Sequence, residues 1–318
     1  MTDPARPHVL LSHEMLAGVQ PLLETAYVVH RLWEHPDRLA FLQGEGRDVR
    51  AIVHAGEMTL PGGLLAEMNH LGLIACVSVG YDGVDVPWAR ARGVAVSHAA
   101  GTNADDVADF AIGLMISAWR GLSAGEARLR GGAWSRGARM LPIHSLGGKT
   151  VGIVGLGHIG EAVAKRALAF GMQIKWWGPR EKPDAAWPRA ASLTALAKEA
   201  DVLVVASRAD ASNKGLISAE VLEALGPRGL LVNVARGSII DEDALIAALK
   251  DGRLGMAALD VFETEPTPVE RWADVPNAVL TPHMAGATLE SVPQMVGQCL
   301  ENLRRFFAHE PLLSPVED

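Results

Sequence analysis

Three short segments in the second half of the chain gather side chains able to bind an anion or move a proton. They are Asn233-Val234-Ala235-Arg236-Gly237, Asp260-Val261-Phe262-Glu263-Thr264-Glu265-Pro266 and Thr281-Pro282-His283-Met284-Ala285-Gly286. An arginine offers a permanently charged planar fork suited to bidentate carboxylate recognition. A histidine exchanges its proton near neutral pH, and a carboxylate against it favours the charged ring. Taken singly, an arginine is usually a surface charge and a histidine a satisfied structural residue. The three segments gain meaning from a fourth, Gly155-Leu156-Gly157-His158-Ile159-Gly160, which follows the strand-like run Thr150 to Val154 and opens the helical run from Glu161. There Gly155 allows a tight turn, Gly157 lets the main chain of Leu156, His158 and Ile159 approach a pyrophosphate, and Gly160 lets the helix pack close to the strand. Amides at the helix start would hold the anion. The competing reading, a glycine-rich turn that serves packing alone, is disfavoured by the strand before it and the helix after it.

A site for NAD places an acid about 20 residues onward, at the end of the next strand. Here that stretch reads Ile174-Lys175-Trp176-Trp177-Gly178-Pro179-Arg180-Glu181-Lys182, with no acid at the strand end. Arg180, with Lys182 behind it, suits a 2′-phosphate, although two surface cations would look the same. The expected cofactor is therefore NADP(H), with NAD(H) kept as the alternative.

The elements that must position these residues read as two α/β series. The first hundred residues alternate apolar runs, His8 to Leu11, Val49 to Val53, Leu73 to Val77 and Gly93 to Val96, with helical patterns. The second series places strands at Thr150 to Val154, Gln173 to Trp177, Val202 to Ala206, Leu230 to Val234 and Ala257 to Asp260. Alternation of this kind predicts parallel sheets covered by helices, with ligands outside the carboxyl ends of the strands. The expected fold is two Rossmann-like doubly wound domains with the active site in the cleft between them. The first, 1–101, would bind substrate and be completed by 287–318, whose helix from about Ala287 to Phe307 packs back on it. The second, 102–286, would bind the dinucleotide. Within it a polar stretch, 123–148, carries Leu129, Trp134, Met140 and Leu141, apolar anchors expected to face a partner in a homodimer.

Composition excludes other classes. The 318 residues are 49% hydrophobic and 21% charged, with a formal charge of −8, an ordinary globular balance that would repel nucleic acid and anionic membrane. The longest apolar stretch, Phe110 to Trp119, is too short to cross a bilayer. Two lone cysteines, Cys76 and Cys299, make neither a disulfide framework nor a zinc spacing, and the N-terminus lacks a secretory pattern. A cytoplasmic setting is expected.

The three segments, in this order after Gly155 to Gly160, resemble the D-isomer-specific 2-hydroxyacid dehydrogenase family. The likeness also takes in Ser78-Val79-Gly80-Tyr81-Asp82-Gly83-Val84-Asp85 and Asp105-Asp106-Val107-Ala108-Asp109. Within the family it is nearest to NADPH-dependent hydroxyphenylpyruvate and glyoxylate/hydroxypyruvate reductases, through Ala224-Leu225-Gly226-Pro227 and Pro311-Leu312-Leu313-Ser314-Pro315. The resemblance implies hydride transfer to a small 2-oxo acid to give the D-2-hydroxy acid. It implies Arg236 as the substrate-binding arginine, His283 as acid/base and Glu265 as the carboxylate that holds the imidazolium and raises its pKa. It also implies Asp260, with Val234, Ala235 and Gly286, against the cofactor, and the main chain of Val79 and Gly80 as receiver of the substrate carboxylate. Glu263 is out of register and reads as a solvated charge. A rival reading is a nucleotide-sensing corepressor of the same fold, which has the same Arg/Glu/His set but acts by binding partners. Formate dehydrogenases pair the histidine with glutamine, which Glu265 argues against, and no Gly-x-Ser-x-Gly elbow supports hydrolysis.

Overall fold

A computed structural model describes residues 6–60, 62–135 and 143–317. Runs of β-branched and leucine residues form strands buried on both faces, as parallel sheets under helices require. The chain divides into two units, one made of residues up to Asn103 together with those from Thr288 onward, the other of Ala104–Ala287.

In the first unit five parallel strands run in the order β2-β1-β3-β4-β5, with β1 His8–Leu11, β2 Val28–Arg31, β3 Val49–His54, β4 Leu73–Cys76 and β5 Ala95–Ser97. Strand β2 was not evident in the sequence. It is a four-residue edge strand whose residues are all half-buried, so it shows neither a continuous apolar run nor an alternation. The final helix, Ser291–Phe307, belongs to this unit and packs beside β4, where Cys299 and Leu303 join the core of Val9, Leu11, Val53 and Leu73. It starts four residues later than Ala287, the expected start.

In the second unit six parallel strands run β11-β10-β9-β8-β6-β7, with β6 Thr150–Val154, β7 Gln173–Trp177, β8 Val202–Val205, β9 Leu230–Asn233, β10 Met256–Leu259 and β11 Ala278–Leu280. Strand β11, three residues at an edge, also escaped the sequence reading. One face of this sheet carries the helices Ala104–Trp119 and His158–Ala169, with Met115, Trp119 and Trp176 fully buried among them. Arg166 ties these two helices by bridging to Asp105 at 3.0 Å and Asp109 at 2.5 Å. The other face is covered by Leu193–Glu199, Ala219–Leu225 and Glu242–Lys250.

Register decides what the sheet presents at its edge. Trp177 pairs with Val154, Val154 with Val205, Val205 with Asn233, Asn233 with Leu259 and Leu259 with Leu280. These six strand ends form one row. Gly155, Ser207, Arg236, Asp260, His283 and Arg180 all follow it within three residues along the chain, so parallel pairing alone delivers them to one rim.

Candidate active site

At the rim of the second sheet the turn after β9 is fixed by Asn233, which is fully buried. Its Oδ1 accepts the Ala235 amide at 3.0 Å and its Nδ2 donates to the Arg236 carbonyl at 3.0 Å. Asn233 has no role evident from the sequence alone. Arg236 follows at once, and its Nη1 donates to the Ala235 carbonyl at 2.7 Å. Gly237 lets this turn lie against the next loop, since a Cβ there would sit 1.8 Å from the carbonyl carbon of Phe262.

Asp260, 1% exposed, directly follows β10, with its carboxylate directed into the neighbouring turn. Oδ1 accepts Thr281 Oγ1 at 2.6 Å and the Met284 amide at 3.1 Å, and Oδ2 accepts the Ala285 amide at 2.9 Å. The Asp260 carbonyl also accepts the His283 amide at 2.8 Å. These bonds hold His283 at φ +47, the left-handed region that costs an L-residue roughly 1–2 kcal/mol. Asp260 is thus first a brace for the turn that carries the histidine.

Held in this way, His283 places Nδ1 2.6 Å from Glu265 Oε2, while Glu265 Oε1 accepts the Phe262 amide at 2.9 Å. A carboxylate accepts, so Nδ1 carries the hydrogen and Nε2 is left to exchange a proton. Burial pushes the Glu265 carboxyl up. Hydrogen bonds from His283 and the Phe262 amide, with the charges of His283 and Arg236, outweigh it and hold the group below its ordinary value. The loop is backed by Glu242, 4% exposed, which accepts the Glu263 amide at 3.0 Å and pairs with Arg271 at 2.5 Å. Glu263 itself is a solvated charge 3.5 Å from Lys214. Beside the pair opens a largely apolar cavity of about 730 Å³, lined by Glu265 and His283 with Phe262, Pro266, Trp272 and Leu280.

The glycine turn has the shape a dinucleotide needs. Gly155 lies at φ +92, and a Cβ there would sit 2.6 Å from Ser207 Cα. A Cβ on Gly160 would sit 2.2 Å from the Gly155 carbonyl oxygen, whereas one on Gly157 would project into open space. The helix His158–Ala169 begins there without a side-chain cap, which leaves its first amides for a bound anion. Ser207 Oγ is buried beside the turn with no hydrogen-bond partner, a polar atom that no sequence motif pointed to. These features fit a dinucleotide phosphate. Lys182 departs from expectation, because it donates to the Leu156 carbonyl and lies 3.5 Å from Glu161, bracing the turn. Arg180 is exposed and, among the described residues, bears no ion pair. Leu156, Val234, Ala235 and Ala285 are buried beneath the rim.

In the first unit Val79 and Gly80 follow β4, half-buried. Three carbonyls are tied back there: Ser78 O accepts the Ala99 amide at 2.9 Å, Val79 O accepts from His98 Nδ1 at 2.8 Å, and Gly80 O accepts Ser78 Oγ at 2.7 Å.

Comparison with known proteins identifies the family. The profile of the D-isomer specific 2-hydroxyacid dehydrogenase NAD binding domain matches residues 112–285. Arabidopsis thaliana glyoxylate/hydroxypyruvate reductase A is 35% identical over 308 residues, 97% of this chain and 98% of its own. Hydroxyphenylpyruvate reductase of Plectranthus scutellarioides is 37% identical with the same coverage. Among solved structures, an NADPH-dependent glyoxylate/hydroxypyruvate reductase of Sinorhizobium meliloti, in complex with NADP and malonate, has a TM-score of 0.90 and 37% identity over 98% of this chain and 97% of its own. A 2-hydroxyacid dehydrogenase from Ketogulonicigenium vulgare Y25 has a TM-score of 0.91 and 40% identity over 98% of both chains. The chain belongs to the D-isomer-specific 2-hydroxyacid dehydrogenase family and is an oxidoreductase with a nicotinamide-dinucleotide domain. No helix among the described residues is long and apolar enough to cross a membrane.

The sign of the Glu265 shift makes a stability test. A carboxyl held below its unfolded value contributes stability that is fully present above that value and lost as pH falls through the folded one. The difference in unfolding free energy between the wild type and Glu265→Gln should therefore shrink on acidification from neutral pH to below pH 4. A difference that stays constant across that range would contradict the assigned coupling.

Proposed function

We propose that the protein reduces a small 2-oxo acid to its D-2-hydroxy acid with NADPH. The pair formed by Glu265 and His283, at 2.6 Å beside Arg236, carries this reading. The bound cofactor supplies a hydride to the carbonyl carbon. Arg236 binds the substrate carboxylate and polarises its carbonyl, and in the first unit the amides of Val79 and Gly80 receive the carboxylate. His283 gives its Nε2 proton to the carbonyl oxygen as negative charge builds there, so hydride and proton together complete the alcohol. Glu265 keeps Nδ1 protonated and stabilises the imidazolium before transfer. Asp260, besides its brace, would with Val234, Ala235 and Gly286 help to hold the nicotinamide end of a bound cofactor. Glyoxylate, hydroxypyruvate and aryl pyruvates are the candidate substrates, by the names of the relatives. Those names also weigh against a protein that only senses nucleotide. The buried unpaired Cys76 and Cys299 suit a reducing cytoplasm.

His283→Ala should lower kcat by about 100-fold or more while leaving NADPH binding nearly intact. Glu265→Gln keeps a hydrogen-bond partner but removes the charge that favours imidazolium, so the alkaline limb of the reduction profile should move to lower pH. Retention of wild-type kcat in the first variant, or an alkaline limb that stays fixed or moves upward in the second, would sink the mechanism.

The preference for NADPH is assigned to Arg180, which meets no carboxylate at Gly178 and would face the 2′-phosphate. Arg180→Ala should raise KM for NADPH by about tenfold and leave that for NADH nearly unchanged, as loss of one charge-assisted contact implies. Equal effects on both cofactors would remove the assignment.

A homodimer is assigned to the 123–148 stretch. The helix Leu122–Arg130 has no buried residue, and Leu129 and Trp134 are 58% and 70% exposed, which leaves apolar side chains for a partner. Met140 and Leu141 lie outside the described residues. Light scattering at micromolar concentration should give the dimer mass, and a monomer mass would refute the assignment.

A further inference from the structure

The amides of Val79 and Gly80 are useful to a carboxylate only if the loop that bears them is held in one shape, and a buried histidine with no part in the acid/base chemistry lies behind that loop. His54 ends β3, pairs in register with Cys76 and is 1% exposed. Its Nε2 lies 2.8 Å from the Met58 carbonyl, which only accepts, so Nε2 carries the hydrogen. Nδ1, 2.8 Å from Ser12 Oγ, is then the lone-pair nitrogen and accepts from the hydroxyl. Burial pushes the ring down to about 4, so it stays in this neutral form at working pH.

The carbonyl that His54 grips sits where two loops meet main chain to main chain. A Cβ on Gly83 would lie 1.9 Å from Met58 O, and one on Gly56, at φ +35, would lie 2.0 Å from Gly80 O and 2.1 Å from Ser78 Oγ. Gly83 donates to Gly56 O at 2.8 Å, and Leu60 donates to Gly83 O at 3.1 Å. No side chain intervenes, so a shift of Met58 is passed on to 78–83. On the far side His98 and Ala99 hold the carbonyls of Val79 and Ser78. In a trans peptide the amide points opposite to the carbonyl, so these bonds aim the Val79 and Gly80 amides the other way. Neither amide has an acceptor among the described residues, and consecutive free amides of this kind make an anion-binding concavity.

We propose that His54, fixed by Ser12, is a positioning residue for the substrate: through Met58 it sets the loop whose Val79 and Gly80 amides receive the carboxylate. The inference rests on the function proposed above. An apolar replacement fills the volume but leaves the Met58 carbonyl, part-buried at this bond, without its donor, and a carbonyl so placed shifts to find another. Glutamine keeps a donor near the position of Nε2.

The test is a kinetic split. His54→Leu should raise KM for the 2-oxo acid, and the dissociation constant of the unreactive analogue oxamate with NADPH present, at least about tenfold. The NADPH dissociation constant and kcat should stay within about threefold, and His54→Gln should recover most of the loss. Should His54→Leu fail to fold, Ser12→Ala carries the test, with an expected rise in KM of about threefold at unchanged kcat. An unchanged KM in either folded variant, or a parallel fall in kcat and NADPH affinity, would overturn the inference. A wild type that reduces no 2-oxo acid would instead overturn the proposed function, and the oxamate measurement would still show whether His54 shapes an anion site.

Discussion

The second unit's rim depends on one buried carboxylate. Asp260 brings a charge to 1% exposure, which is tolerable only because its oxygens accept three hydrogen bonds from the following turn. All three donors lie within Thr281–Ala285, so the bonds that satisfy the charge also fold the turn. His283 is bent into a left-handed conformation in the middle of that turn, and its own amide is tied to the Asp260 carbonyl. Replacing the carboxylate by an apolar group would leave the two main-chain amides without their acceptor and release the backbone strain at His283. The ring would then lose its fixed approach to Glu265.

The loop bearing Glu265 is fixed by the same means from the other side. Glu242, nearly as buried as Asp260, spends one oxygen on the Glu263 amide and the other on Arg271. Glu265 spends one oxygen on the Phe262 amide and the other on His283. Each carboxylate therefore performs one main-chain task and one side-chain task. A charge-assisted bond to backbone is about twice as strong as a neutral one, which lets an irregular loop hold one conformation without regular structure. Gly237 lets the β9 turn, which carries Arg236, lie against this same loop, because a side chain there would meet the main chain of Phe262 and Glu263.

Much of this was legible in the sequence because the informative residues are local. The glycine spacing, the strand ends and the three ionisable segments each occupy a few consecutive positions, and parallel pairing converts strand ends into a common rim. What the sequence reading missed depends on pairings distant along the chain. The brace formed by Asp260 needs Thr281 and Ala285, the support of Glu265 needs Glu242, and the grip of His54 needs Ser12, forty-two positions earlier. No periodicity encodes such bonds. Edge strands β2 and β11 were missed for a different reason: each is short and lies at a sheet edge, so its burial pattern carries little signal. Ser207 was invisible because a lone serine after an apolar strand is common, and only its buried, unpartnered oxygen distinguishes it.

Arg180 and Lys182 show how contact geometry separates two residues of the same charge. Lys182 is drawn to the Leu156 carbonyl and Glu161, so its charge is spent inside the phosphate turn, where it offsets the acid at the start of the helix. Arg180 keeps its charge in solvent, and an exposed pair at contact distance is worth only about 1 kcal/mol in water. A 2′-phosphate carries nearly two negative charges and accepts a bidentate fork, which raises that value. Salt lowers it again, because the site is open. The same contact is unavailable to a 2′-hydroxyl, which gains nothing from the guanidinium charge. On the proposed preference for NADPH, discrimination at this position would come from two small effects of the same sign, one favourable cation and one absent acid. The glycine turn, whose fit to a phosphate is a matter of main-chain shape, would serve either cofactor alike.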